Sequence, residues 1–283
     1  MKRTKILGLC LMVACAIAAV SVASASASAQ FGSCVGFKHG NFTESNCATV
    51  AEKKGAPDHK GTFEFVPADS CYATKGGNFT ENKCITVAGK TKKGVFTPDH
   101  KGGFESTPSP SFTTSSGPAE LTTPGFGAVK CSASTGGGVI ESGTTETTTT
   151  SFTGCESSGQ KCQNTATEGN IVTFLNAGVL TEPTTGTAAT VLTAASGKYL
   201  AEFGCTGVAV IRTGGSVGGH NTPVNTVSST STFTFEKGFD QNLETEFSAS
   251  PAFEPAETVG PFPSEQHGVF TIKTSSPIET HVA

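Results

Sequence analysis

The sequence predicts an all-β protein: two small disulfide-stapled β repeats followed by a β-sandwich or jelly-roll-like domain. Apolar and polar residues alternate in many short runs, and Gly, Pro or Asn turns separate these runs. Outside the N-terminal segment, no run shows apolar residues at helical spacing. The 34 Gly and 14 Pro among 283 residues also disfavour long helices.

Residues 1–29 have the pattern of a secretory signal peptide. The positive start MKRTK precedes an apolar run, and the small residues Ala27 and Ala29 predict cleavage before Gln30. Lipid attachment at Cys15 is the alternative. No later run is long and apolar enough to span a membrane, so we expect a secreted or cell-envelope-associated protein without a membrane span after cleavage.

The charge of the remaining chain excludes nucleic acid as a general partner. From residue 30 onward, 16 Lys and Arg face 23 Asp and Glu, which gives a net charge of −7. The charge is divided unevenly, with +2 over residues 30–105 and −9 over residues 106–283. The lysines of the repeats predict an anionic cell-envelope polymer as partner, or else only keep this region soluble.

Eight cysteines follow the leader, and an even number in an exported chain predicts disulfides. Because no C-x2-C pair is present, a zinc site is the weaker interpretation. No cofactor is expected.

An internal repeat organises the first part of the chain. GNFTESNC at 40–47 returns as GNFTENKC at 77–84, within units of about 34–70 and 71–105. Units this small need staples, and the spacing predicts the internal bonds Cys34–Cys47 and Cys71–Cys84. The second unit carries four extra residues around 90–97, which we place in a loop.

These units resemble short repeats in uncharacterised exported proteins of soil actinobacteria. The resemblance rests on the cysteine, Gly-aromatic-Thr turn and second cysteine, and on the closing segment GTFEFVPADSC at 61–71. It continues through VKCSAS, SFTGCESSGQKCQ and GGSVGG. Phe65 stands where Trp is usual, and the second unit closes with GGFEST. The resemblance implies secretion and a β-rich fold, and it brings no established activity.

A Pro/Ser linker is predicted at 106–118, and the β-sandwich domain at 119–283. Strand candidates recur at 127–134, 147–155, 169–174, 188–194, 199–205, 208–213, 231–237, 243–249 and 268–274. The segment GCESSGQKC predicts a hairpin stapled by Cys155 and Cys162, leaving Cys131 to pair with Cys205. Four cysteines allow three pairings, so this connectivity stays open.

Two patterns point to chemistry. GGSVG satisfies G-x-S-x-G, and Ser216, Asp240 and His267 follow the order of an esterase-like triad, but no helix pattern follows the serine. A glycine turn between strands is the alternative. The motif PDHKG occurs twice, and its pairs Asp58-His59 and Asp99-His100 offer weak candidate metal ligands, but a solvated turn is the favoured interpretation.

The sequence therefore favours an exported, non-enzymatic, disulfide-stabilised β protein of the bacterial envelope or extracellular space, with a structural or binding role. An extracellular carbohydrate-binding module is the alternative, although the chain has no Trp and only 2 Tyr to stack on sugars. An esterase-like hydrolase using Ser216 is third.

Overall fold

The computed structural model describes residues 29–45, 47, 49–52, 60–93, 95–206, 209–235, 239, 241–248 and 258–282. The predicted signal peptide lies outside them except for Ala29. The all-β prediction is confirmed, because the described residues form strands and no helix. In particular, they include no helix long and apolar enough to cross a bilayer.

The described residues contain 21 strands. They are β1 (Gln30–Gly40), β2 (Gly61–Pro67), β3 (Cys71–Gly77), β4 (Gly89–Lys92), β5 (Val95–Pro98), β6 (Gly102–Ser106), β7 (Ser111–Ser116), β8 (Ala119–Thr123), β9 (Gly127–Cys131), β10 (Ala133–Ile140), β11 (Thr145–Thr153), β12 (Glu156–Ser157), β13 (Gln160–Gln163), β14 (Ile171–Val172), β15 (Asn176–Thr181), β16 (Ala188–Ala194), β17 (Tyr199–Cys205), β18 (Ala209–Thr222), β19 (Ser228–Phe235), β20 (Asn242–Ser248) and β21 (Thr258–His281).

The large domain is a continuous antiparallel sheet that closes on itself twice. We call the first closed circuit ring A; its strands pair in the order β7, β10, β11, β15, β16, β18, β19 and β21, and β21 returns to β7. Ring B runs through β8, β9, β12, β13, β17, β18, β20 and β21. The long strands β18 and β21 belong to both rings, so the two rings meet along these two strands.

Every second side chain along each strand points into this interior and fills it. Inward positions hold Phe233, Phe235 and Phe270 in one buried cluster, and Phe203 and Ile211 in another within ring B. On β11 the outward positions carry Thr and Ser, while the inward positions hold Glu146, Thr148, Thr150 and Phe152. Two-residue periodicity thus decides which face of each strand is buried.

The first repeat unit is joined to the large domain by backbone pairing. Gln30 to Gly32 on β1 pair with Glu279 to His281 on β21, and β1 also pairs with β2. Phe31 is buried at one end of ring A together with Ile140 and Leu180. The second unit forms separate two-stranded sheets, β3 with β6 and β4 with β5.

The predicted linker at 106–118 is wrong for much of its length. Residues Ser111–Ser116 form β7, which pairs with β10 on one side and β21 on the other. Phe112 is buried between the exposed residues Ser111 and Thr113. The strand therefore has one side that faces the core, despite its linker-like composition. Thr107, also in the predicted linker, is buried and hydrogen-bonded to Pro67 and Ser70.

Both repeat disulfides, Cys34–Cys47 and Cys71–Cys84, form as predicted. The predicted pairing Cys155–Cys162 with Cys131–Cys205 is wrong; the bonds are Cys131–Cys155 and Cys162–Cys205. The predicted hairpin exists as β12–β13, and Cys162 donates its N–H to the Cys155 carbonyl at 3.0 Å. Each sulfur, however, bonds outward to the next strand, because β9 and β17 flank this hairpin.

Candidate functional site

A cavity of about 100 Å³ lies inside the large domain, where rings A and B meet. Its walls come from both shared strands, through Val217 on β18 and Phe270 on β21, and from strands of each ring. The cavity thus lies at the junction that the double closure of the sheet creates, and a concave, mainly apolar cavity with a few polar groups is the default candidate for a binding site.

The lining of the cavity is mainly apolar. Inward positions of neighbouring strands supply Phe152, Leu192, Leu200, Phe203 and Leu243. Leu200, Phe203 and Leu243 are each less than one-tenth exposed. Such a surface favours an apolar occupant over water, because removing apolar area from water is the main source of affinity here.

One polar atom in the lining is buried without a protein partner. Asn176 begins β15, is 5% exposed, and its side-chain oxygen Oδ1 receives no hydrogen bond. The hydroxyls of two other lining residues are engaged: Thr173 Oγ1 accepts from the Thr150 N–H at 3.0 Å, and Thr213 Oγ1 donates to the Ala201 carbonyl at 3.5 Å. Among the described residues, seven buried side-chain oxygen atoms lack a hydrogen-bond partner, and the Asn176 oxygen is the one of them that belongs to a residue lining the cavity.

Glu120 and Gln266 are two further polar residues of the lining. Gln266 is held by Gln241, whose Oε1 accepts from the Gln266 N–H at 2.6 Å and whose Nε2 donates to the Gln266 carbonyl at 2.9 Å. Glu120 lies 4.0 Å from Lys130, and both side chains are exposed to solvent. This side of the cavity therefore faces water, whereas Asn176 lies in the buried part.

Two disulfides reinforce the wall of ring B beside the cavity. A single residue pair, Glu156 with Lys130, joins β12 to β9, and only two pairs join β13 to β17. The bonds Cys131–Cys155 and Cys162–Cys205 cross the same two boundaries. Covalent links thus hold the sheet closed where its hydrogen-bond ladder is shortest.

A buried carboxylic acid lies in ring A, outside the lining of the cavity. Glu146 is 9% exposed on β11, and burial raises the pKa of its carboxyl from 4.5 to about 7. The side chains of Glu146 and Thr190 lie on the same inner face, and both would contact a Cβ added at Gly178. Thr190 Oγ1 accepts from Asn221 Nδ2 at 2.8 Å. The interior of ring A therefore contains a titratable group whose charge depends on pH near neutrality.

A second polar cluster lies on the face of β17, β18 and β20 that turns away from the cavity. Glu246 accepts from Lys198 Nζ and from the Tyr199 hydroxyl, the latter at 2.7 Å, while Arg212 Nε donates to Glu202 at 2.6 Å. The hydrogen bond from Lys198 lowers the pKa of the Glu246 carboxyl. Each of these charges has an opposite partner, so the cluster joins three strands rather than presenting a reactive group.

The structure does not assemble the esterase-like triad among the residues it describes. Ser216 lies inside β18, paired with Thr193 and Asn242, and not at a strand-to-helix turn. The alternative glycine turn is also wrong, since the strand continues through Gly215 with a φ of +82°. His267 lies on β21, where its Nε2 is 3.5 Å from Glu265. Asp240 lies outside the described residues.

The metal hypothesis gains no support from the described copy of PDHKG. Asp99 Oδ1 accepts from the Lys101 N–H at 3.3 Å, and the exposed His100 has a φ of +52°, as a turn requires. The other pair, Asp58 and His59, lies outside the described residues. Over the described ranges, no group of three His, Cys, Asp or Glu side chains is placed to hold a metal.

Sequence reasoning missed the cavity and its key residue. The strand β15 was not among the predicted strands, because NAGVLT holds only two strongly apolar side chains and a Gly. No local signal could have found Asn176, because an isolated Asn between the apolar segments FL and AGVL carries no sign of burial. Comparison with known proteins finds no matching protein family, curated protein or solved structure.

Proposed function

We propose that this chain is an exported, non-enzymatic binding protein whose large domain holds a small, mainly apolar molecule in the cavity between rings A and B. The observation that carries the proposal is the unpartnered Oδ1 of Asn176 among the residues of a mainly apolar lining. A ligand with one hydrogen-bond donor would pair with this oxygen once the Asn176 side chain turns toward the cavity, and would gain apolar contact elsewhere.

The disulfides and the all-β fold support an extracellular location. Four bonds stabilise an all-β chain, which is typical of proteins that fold in an oxidising, extracellular environment. The absence of a catalytic role is part of the proposal, and it is supported by the position of Ser216 within β18, outside the cavity lining.

The size of the cavity limits the ligand to a small molecule. A cavity of about 150 Å³ lined by Leu, Ile and Phe can hold benzene, so about 100 Å³ is suited to a single ring or a short branched chain once the walls adjust. The Asn176 oxygen accepts a hydrogen bond, which favours phenol-like compounds and small alcohols over hydrocarbons of the same shape. In a buried site, such a pairing changes affinity by about 10- to 100-fold.

The test is calorimetric titration with phenol and benzene, a pair of the same shape that differs by one donor. We expect phenol to bind more tightly to the unaltered protein, and Asn176→Leu to abolish this preference while benzene still binds. Ala201→Phe fills the cavity and should remove binding of both ligands. If neither ligand binds the folded protein, or if Ala201→Phe binds both unchanged, the proposal is wrong.

The same variants separate the other candidate functions. A carbohydrate-binding module would give a glycan-array signal that Ala201→Phe leaves intact, since its site would be an exposed face. An esterase would hydrolyse simple esters and lose this activity in Ser216→Ala. Either result, without cavity binding, would replace the proposed function.

A further inference from the structure

A hairpin in the second repeat unit projects with both faces in solvent. It consists of β4 and β5, with Lys90 opposite Thr97, Thr91 opposite Phe96 and Lys92 opposite Val95. All residues of β5, and all of β4 except Gly89, are exposed. A two-stranded sheet without a packed face is marginal in water, so this hairpin is poorly explained as a purely structural element.

The hairpin exposes large apolar side chains. Val95 is 63% exposed and Phe96 is 49% exposed, while Ile85 in the same unit is 72% exposed. Val95 and Lys92 are opposite residues and so share one face, with Lys90 next along that face. The Phe96 ring lies over Gly89 on the other face, where any side chain at position 89 would collide with it. The β4–β5 hairpin thus exposes apolar and cationic side chains close to one another.

The charge of the second unit is opposite to that of the rest of the protein. Residues 71–105 hold six Lys and three Asp or Glu, a net of +3, whereas residues 34–70 hold four Lys and five Asp or Glu, a net of −1. The acidic side chains of the second unit are engaged: Glu105 accepts from Asn78, Glu81 accepts from Thr86, and Asp99 accepts from Lys101. The lysines of the hairpin are exposed.

These features coincide with the four residues that distinguish the second unit from the first. The insertion falls between the matched TVA and PDHKG segments, which is where β4 and β5 form. The inserted length creates a hairpin with Lys90, Lys92 and Lys93 on one strand and turn, and Val95 and Phe96 on the other.

We propose that the β4–β5 hairpin docks this protein onto an anionic lipid surface. Lysines near such a surface gain from its negative potential, and short apolar side chains between them can enter the interface of head groups and acyl chains. A soluble anionic polymer would use the lysines but not Val95 and Phe96, and for that reason the exposed apolar groups favour lipid. The hairpin lies in the second unit, and its role is independent of ligand binding in the cavity.

Co-sedimentation with vesicles tests the proposal, using the chain from Gln30 onward and either phosphatidylcholine alone or phosphatidylcholine mixed with phosphatidylglycerol. We expect binding to the anionic vesicles only. Lys92→Gln with Lys93→Gln should weaken it at least about tenfold. The matched control is Lys130→Gln with Lys273→Gln, which removes the same charge from two exposed lysines of the large domain and should leave vesicle binding unchanged.

A second double variant, Val95→Ser with Phe96→Ser, separates lipid from polymer. It should weaken binding to the anionic vesicles several-fold at about 0.1 M salt, where a Debye length of about 10 Å leaves the lysines attracted to the surface, so that the loss is due to the apolar side chains alone. The folded state of each variant is checked by its thermal unfolding midpoint. Equal binding to neutral vesicles, no effect of either variant, or binding to soluble polyphosphate without binding to vesicles would overturn the proposal.

Discussion

The two repeat units share one hydrogen-bonded and disulfide-linked frame but have different surroundings. In the first, the Glu64 carboxylate accepts from the Asn41 N–H at 2.7 Å and from its Nδ2 at 2.8 Å; in the second, Glu105 accepts from Asn78 at 3.0 and 3.1 Å. Each unit also has one disulfide spanning thirteen residues. The shared residues therefore build the shared frame.

The glycine before each turn has the same purpose in both units. A Cβ at Gly40 would lie 2.0 Å from the Phe63 carbonyl oxygen, and one at Gly77 would lie 2.1 Å from that of Phe104. Only glycine allows the strands to approach this closely. The sequence motif is thus a packing requirement of the unit itself.

The units differ at the positions that contact the large domain. Phe31 corresponds to Ala68 at the repeat offset of 37 residues, and Phe65 corresponds to Ser106 in the closing segment. Phe31 enters the core of ring A, while the Phe65 ring stacks on His281 with centroids 4.5 Å apart. In the part of the chain that the structure describes, the second unit has no aromatic residue at the position of Phe65 and makes no corresponding contact with the large domain. Its closing segment GGFEST therefore departs from the pattern of the first unit.

The largest test of this difference is Phe31→Ala. Removing a buried Phe side chain costs about 3 to 5 kcal/mol, and here the loss should lower the free energy of unfolding of the large domain as well as that of the first unit. Chemical denaturation followed by hydrogen exchange measures both. The control, Phe79→Ala, alters the second unit and should leave the large domain unchanged; equal effects of the two variants would contradict the comparison.

A pH titration sharpens the comparison, because Glu146 lies only in the large domain. Its pKa is about 7 in the folded state and 4.5 when unperturbed. The folded state therefore holds the proton more tightly, and stability falls as pH rises from about 4.5 to about 7, by roughly 3 kcal/mol in all. Hydrogen exchange in the first unit should follow this fall, while exchange in the second should not.

Glu146→Gln is the control for the titration. The amide has no titration in this range, so the decline in stability between the two pKa values should disappear. A decline that persists in this variant would assign the pH dependence to another group.

The smallest expected effect on the large domain comes from removing one repeat disulfide at a time. In the chain-entropy model, each thirteen-residue loop contributes about 3 kcal/mol to its own unit. Cys34→Ala with Cys47→Ala should also lower the unfolding midpoint of the large domain by a few degrees, since β1 pairs with β21. Cys71→Ala with Cys84→Ala should lower protection only in residues 71–106. Identical calorimetric traces for both pairs would show that the first unit is not coupled to the large domain.

Local sequence was sufficient to predict several elements. β16 and β17 match their predicted bounds, because both have clear runs of apolar and β-branched residues between turn residues. The repeat disulfides were predictable for a related reason: each bond lies within one small unit and closes a short loop. The cavity residue Asn176 was not, since an isolated Asn carries no local sign of burial.

The sequence alone determined the all-β fold class, the frame of the two units and the uneven distribution of charge between the repeats and the large domain. These depend on neighbouring residues and on composition. Tertiary structure alone decided the closure of the sheet, the bonds Cys131–Cys155 and Cys162–Cys205, and the position of β7. These features depend on which strands become neighbours. Residues far apart in the chain, such as Cys162 and Cys205, become partners only when β13 lies beside β17, and spacing along a sequence does not encode that proximity.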